Sequence, residues 1–250
     1  MNHEPKRRMT TAALAALLSL AAVSARAEPT LLVIGVDVSQ SNPLLLGPQF
    51  DAYREASRQR VRDAVGAMEA GSRVMIRTFG DNLATPRSLG VADAELIPQP
   101  RHPDARFRRV ETLRPLIAEA VVQKVDLAIE SGRADPDDYT RITRFIEAMS
   151  APVAAHSVFQ NPVRGAVPRG VRFLLLTDGI EDDPPNGRLL RGGALPASPG
   201  FTVPNCAELR LVGFGQARTT LPSDALTRMR DEWRRWSGAV GCPFVADAGL

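Results

Sequence analysis

A chain of 250 residues that is 44% hydrophobic and 24% charged has the length and balance of one medium globular domain, which excludes a disordered chain and a multi-span membrane protein. Its 20 prolines and 19 glycines follow no period, which excludes collagen-like and coiled-coil rods. The formal net charge of +3 suggests a nucleic-acid partner only until the basic residues are located along the chain.

Residues 1–27 start with a basic stretch (Lys6, Arg7, Arg8), continue through an apolar run at 12–23 and close on Ala25-Arg26-Ala27. That is the three-part pattern of a secretory signal with a small-x-small cleavage site, and the apolar run is too short to span a bilayer comfortably; an uncleaved N-terminal anchor is the alternative. Cleavage is expected to leave residues 28–250 as a single domain in the periplasm or outside the cell. Four of the 31 basic and one of the 28 acidic residues lie in the signal, so the mature chain carries 27 of each. No electrostatic footprint for nucleic acid remains, and no membrane span is expected after cleavage.

Along the mature chain, short apolar runs alternate with longer segments of helical period. This predicts an α/β fold, a doubly wound and mainly parallel sheet with helices on both faces. Residues 31–36 (LLVIGV) read as a central strand buried on both sides, 50–68 as a helix ended by Gly71, and 73–79 (RVMIRTF) as a second strand. Residues 94–97 read as an antiparallel edge strand or a surface loop. A helix is expected over 111–130 with Pro115 in its first turn, and another over 137–149 after Asp135-Pro136. Residues 171–177 (VRFLLLT) and 209–214 (LRLVGF) read as strands, 223–237 as a closing helix capped by Ser223, and 243–246 as a short final strand.

Export favours a disulfide between the two cysteines, Cys206 and Cys242. Two separate buried thiols are the alternative. A zinc site is disfavoured, because His102 and His156, the histidines left after cleavage, lack finger-like spacing from the cysteines.

Open α/β sheets bind ligands at the C-terminal ends of their strands. Directly after LLVIGV the chain reads Asp37-Val38-Ser39-Gln40-Ser41, and after FLLLT it reads Asp178-Gly179. A carboxylate and two hydroxyls at alternate positions can turn toward one point as the backbone curls over a strand end. Such hard oxygen donors suit Mg²⁺ or Mn²⁺, and Asp178 reaches the same point if its strand lies beside the first.

These residues, DVSQS after the first strand with a later LLLTDG, resemble the von Willebrand factor type A (VWA) family, whose DxSxS pattern is the metal-ion-dependent adhesion site, or MIDAS. The order of strand, long helix, strand with Phe79-Gly80-Asp81, helices, TDG strand and final strand and helix is similar to the family's layout over most of the mature chain. The resemblance implies Asp37, Ser39 and Ser41 as metal ligands, with Asp178 as a further ligand, direct or through water. It also implies one more hydroxyl from a loop before the TDG strand, for which Ser157 is the first choice and Thr140 the runner-up.

Enzyme readings find little support in the residues. A haloacid-dehalogenase-type site wants a second carboxylate where Ser39 stands, and neither a G-x-S-x-G elbow nor a P-loop occurs. The expected function is therefore non-enzymatic: an exported domain that holds Mg²⁺ or Mn²⁺ and takes the acidic side chain of a protein partner into the ion's open position. The alternatives are a metal-free structural subunit of a cell-envelope assembly, docking through its edges or through the helix bearing Trp233 and Trp236, and a metal-dependent phosphoesterase at the same carboxylates. Glu181, Asp182 and Asp183 form an acidic run beside the site, the kind of run that is usually a solvated loop; the alternative is that it tunes the ion's field or rejects anionic partners.

Overall fold

The computed structural model describes residues 30–69, 72–80, 94–95, 103–155, 170–183, 187–189, 192–196, 199–217 and 220–247. The expected signal segment lies outside them. Six strands form one sheet in the order β3-β2-β1-β4-β7-β8, where β1 is Thr30–Asp37, β2 Arg73–Phe79, β3 Ala94–Glu95, β4 Gly170–Leu176, β7 Cys206–Val212 and β8 Phe244–Asp247. All neighbouring pairs are parallel except β2 with β3, which is antiparallel at the edge. A two-residue hairpin, β5 (Asp182–Asp183) with β6 (Gly187–Arg188), stands apart. The fold is thus the expected doubly wound α/β arrangement.

Alternation along the strands sorts the core into two clusters, because successive side chains point to opposite faces. On one face Leu31, Val33, Met75, Phe79, Phe173, Leu175, Leu209 and Leu211 pack with Phe145, Ile146 and Met149 of α3 (Ile142–Ala155) and with Met229, Trp233 and Trp236 of α4 (Ser223–Val240). On the other, Leu32, Ile34, Val36, Val74, Ile76, Leu174 and Leu176 meet Tyr53, Val61 and Val65 of α1 (Asp51–Gly66) and Val121, Val122 and Val125 of α2 (Pro103–Ala134). The run Leu31–Val36 of the central strand β1 is apolar because both faces of that strand are covered. No helix among the described residues is long and apolar enough to cross a membrane.

The two cysteines are joined, with Cα atoms 5.0 Å apart at a sequence separation of 36. The bridge ties the start of β7 to the turn that follows α4.

Three expectations are corrected. The helix expected over 111–130 is α2, which begins at Pro103 and carries Pro115 in its interior rather than its first turn; an internal proline removes one helical hydrogen bond, and apolar packing by the rest of α2 outweighs that loss. The helix expected from Asp137 begins only at Ile142, since Asp137 spends its backbone groups on the segment after β1. At α4 the residue preceding the helix is Pro222, without a side-chain cap, and Ser223 is already helical.

Candidate metal centre

β1 and β4 pair in register up to Val36 with Leu176, so the next residues, Asp37 and Thr177, emerge side by side at the C-terminal ends of the two central strands. Thr177 Oγ1 donates to Asp37 Oδ2 at 2.7 Å, and the backbone N–H of Ser39 donates to Asp37 Oδ1 at 2.9 Å. The second bond closes a tight Asx turn that folds the DxSxS segment over the strand end. It leaves the Ser39 and Ser41 hydroxyls 3.1 Å apart. Asn42 fastens this turn from below, its amide donating to the carbonyls of Asp37 at 2.7 Å and Leu176 at 3.2 Å.

A third hydroxyl arrives from the loop ahead of α3. Asp137 N–H donates to Val38 O and Gln40 N–H to Asp137 O, at 3.0 and 2.8 Å, a parallel bridge that lays residues 137–141 against the DxSxS turn. Gly80 makes this approach possible, because a Cβ there would run into the Asp137 carboxylate. Thr140 Oγ1 consequently lies 2.6 Å from Ser39 Oγ and 3.3 Å from Ser41 Oγ. Asp182 N–H holds the loop from the other side through Thr140 O, at 2.9 Å.

Asp178 follows β4 in a turn that depends on Gly179, whose φ of +77° is a left-handed conformation and whose absent Cβ would stand 2.8 Å from the Phe214 ring. Trp233 of α4 donates its indole N–H to Gly179 O at 2.9 Å, and Gly215 N–H donates to Asp178 O at 2.8 Å. Asp178 Oδ1 accepts from Ile180 N–H at 2.8 Å. Its other oxygen, Oδ2, is buried and has no hydrogen-bond partner.

Asp37, Ser39, Thr140 and Asp178 are all buried, with Asp37 and Asp178 at 0% exposure. Burial pushes the Asp37 carboxyl up to about 6 against the pull of its bonds from Ser39 and Thr177, and the charge of Asp137 adds to the rise. Asp178 is raised well above the carboxylate range, by burial first and by the charge of Asp37 second, while the Ser41 hydroxyl acts the other way. Two carboxylates held close in a buried site destabilise each other's ionised form. A divalent cation is the species that would make both charges favourable.

The structure thus brings Asp37, Ser39, Ser41 and Asp178 to one strand-end site, and beside them places Thr140, the second choice for the further hydroxyl. Ser157 lies outside the described residues. Among those residues no group of three His, Cys, Asp or Glu side chains is placed to hold a metal; the set here is two carboxylates and three hydroxyls. All five donors are hard oxygens, and the unbonded Asp178 Oδ2 fits a cation ligand better than it fits a closed hydrogen-bond network.

Several positioning residues carry no motif signal. Asn42, Trp233 and Gly80 act through partners far away in sequence, while Thr177 is adjacent to Asp178 and its role follows once β4 is set beside β1. Glu181 is a correction to the solvated reading of its acidic run. It is buried and caps α3, accepting from Thr143 N–H at 3.1 Å and from Thr143 Oγ1 at 2.6 Å.

The mouth of the site is built from exposed Gln40, Asp138 and Tyr139, with Asp137, Arg141 and Asp182 half-buried at its border. Gln40 Nε2 donates to Asp138 Oδ1 at 3.0 Å, and the Arg141 guanidinium lies 6.0 Å from the centre of the Tyr139 ring. No family model and no curated protein matches the chain.

Proposed function

We propose that this chain is an exported VWA-like domain that binds a protein partner through a divalent cation, Mg²⁺ or Mn²⁺, held by Asp37, Ser39, Ser41, Thr140 and Asp178. The observation that carries the reading is the buried, unbonded Asp178 Oδ2 beside three clustered hydroxyls. A bound cation would supply a Lewis-acidic centre for an acidic side chain of the partner. Neutral hydroxyls make up three of the five donors, so two carboxylates offset the charge of a divalent ion without a surplus that would repel an incoming anion. Thr177 and the Ser39 N–H orient Asp37; Trp233 and Gly215 fix the Asp178 turn. Export is supported by the signal-like residues 1–27 and by the disulfide, which suits an oxidising compartment.

The test is the melting temperature of the protein with chelator and with millimolar Mg²⁺ or Mn²⁺, run beside Asp37→Ala. An ion at about 100 times its dissociation constant stabilises a fold by roughly 2.7 kcal/mol, about 5–10 °C for a domain of this size. A rise in the wild type that Asp37→Ala lacks is the expected result. No rise in either protein, with or without an acidic partner peptide, would refute the reading.

A further inference from the structure

A cavity of about 190 Å³ opens between α1 and the strands β1, β4 and β7. Its lining includes Leu32, about 16 Å along β1 from Asp37, so it is separate from the strand-end site. The pleat decides what faces it. Leu32 and Leu174 belong to the apolar cluster beneath α1, and Arg172, two residues before Leu174 on β4, lies on the same face. On the adjoining β7, Glu208 stands beside Arg172 and Arg210 beside Leu174. Arg172 is the charged residue in the run Gly170–Leu176, a half-buried guanidinium where a strand covered on both faces calls for an aliphatic side chain.

The other charges in the cavity are already engaged. Arg60 pairs with Asp247 at 2.7 Å, while Arg210 pairs with Glu208 and, at 3.6 Å, with Asp247. Asp63, also in the lining, is exposed and accepts from Gln59 Nε2 at 2.8 Å. Arg172 has no hydrogen-bond or ion-pair partner among the described residues. A guanidinium left open over an aliphatic floor suits a carboxylate, because its two parallel N–H donors match the two oxygens and it is more weakly hydrated than an ammonium.

We infer that this cavity binds a compact organic monocarboxylate, with the carboxylate on Arg172 and the hydrocarbon part against Leu32 and Leu174. The single charge follows from the neighbours: Arg60 and Arg210 are offset by their own carboxylates, and Glu208 beside Arg172 opposes a second negative charge, which disfavours a phosphate dianion. The small size follows from the volume, which is below the roughly 300–1,000 Å³ of sites for drug-sized ligands. The inference is independent of the cation reading, since none of the donors named there lines this cavity.

The experiment titrates hexanoate, hexylamine and inorganic phosphate into the full chain in chelator, followed by amide NMR shifts. Hexanoate should bind saturably, with a dissociation constant on the order of 1 mM, ordinary for so small a ligand, and with shifts centred on Arg172, Leu174 and Arg210. Hexylamine and phosphate should bind at least about ten-fold more weakly. Arg172→Gln should weaken hexanoate by at least about ten-fold through loss of the charged, two-pronged pair. Ala64→Leu, which fills the cavity from α1 and leaves Arg172 in place, should weaken it as much, and Asp37→Ala should bind hexanoate as the wild type does. Retained binding by either cavity variant with a native spectrum, loss of binding in Asp37→Ala, equal binding of hexylamine, phosphate binding as tight as hexanoate, or no saturable shift at tens of millimolar would each overturn the inference.

Discussion

Replacing Asp37 by Asn in cation-free protein isolates the electrostatic cost of the site. The Asp37 carboxyl is fully buried and its pKa rises from an ordinary value of 3.8 to about 6. A carboxyl raised on folding holds its proton more tightly in the folded state, so folding loses stability as pH climbs from 3.8 to about 6, and the loss is constant above that. At 1.36 kcal/mol per pH unit, the ionised group costs the fold about 3 kcal/mol at pH 7.5 and about half of that at pH 5. Asparagine has no such titration. Its Oδ1 can still accept from Ser39 N–H, and its amide can donate to the Thr177 hydroxyl in place of the bond that Asp37 Oδ2 now accepts; these changes do not vary with pH and cancel between the two conditions. In urea unfolding with chelator, followed by the fluorescence of buried Trp233 and Trp236, the stability of Asp37→Asn relative to wild type should therefore grow by about 1–2 kcal/mol between pH 5 and pH 7.5. Saturating Mg²⁺ should reverse the order at pH 7.5. A difference that stays constant or shrinks as pH rises would refute the reasoning.

Thr140→Val should weaken cation binding by about ten-fold, the cost of one lost ligand or hydrogen bond, measured as the Mg²⁺ concentration that gives half the thermal shift. Cys206→Ser with Cys242→Ser opens a loop closed over 36 positions, so the chain-entropy relation gives a loss of about 4 kcal/mol, visible as a lower urea midpoint. Gly179→Ala must place a side chain at φ +77° and 2.8 Å from Phe214, and should cost about 1–3 kcal/mol while weakening Mg²⁺ binding through displacement of Asp178.

The parts of this molecule that sequence made legible are those written in local spacing. Asp37, Ser39 and Ser41 sit at alternate positions after an apolar strand, and Asp178 follows a second such strand; once the two strands pair in parallel, their ends must meet. Strands β1, β2, β4 and β7 and helices α1 and α4 were readable from apolar runs and helical period for the same reason. Thr140 stands only second to Ser157 in the sequence because helical periodicity runs through residues 137–149, whereas the backbone groups of Asp137 bond to Val38 and Gln40 across about a hundred positions of chain. Asn42, Glu181 and Trp233 were illegible on similar grounds. Their partners, Leu176, Thr143 and Gly179, are separated from them by 134, 38 and 54 positions, and no pattern within a short window encodes such pairs.

Trp233 also makes the site depend on the far end of the chain. Its indole N–H grips the Gly179 turn, and the helix that carries it is anchored by Cys242 to the start of β7. Asp37, Ser39 and Ser41 stand near the start of the described residues, Thr140 about a hundred residues later, and the tryptophan that secures the Asp178 turn close to their end. Under the cation reading proposed above, a truncation that removed the last helix would keep the whole DxSxS motif and still lose the contact that holds Asp178 in place.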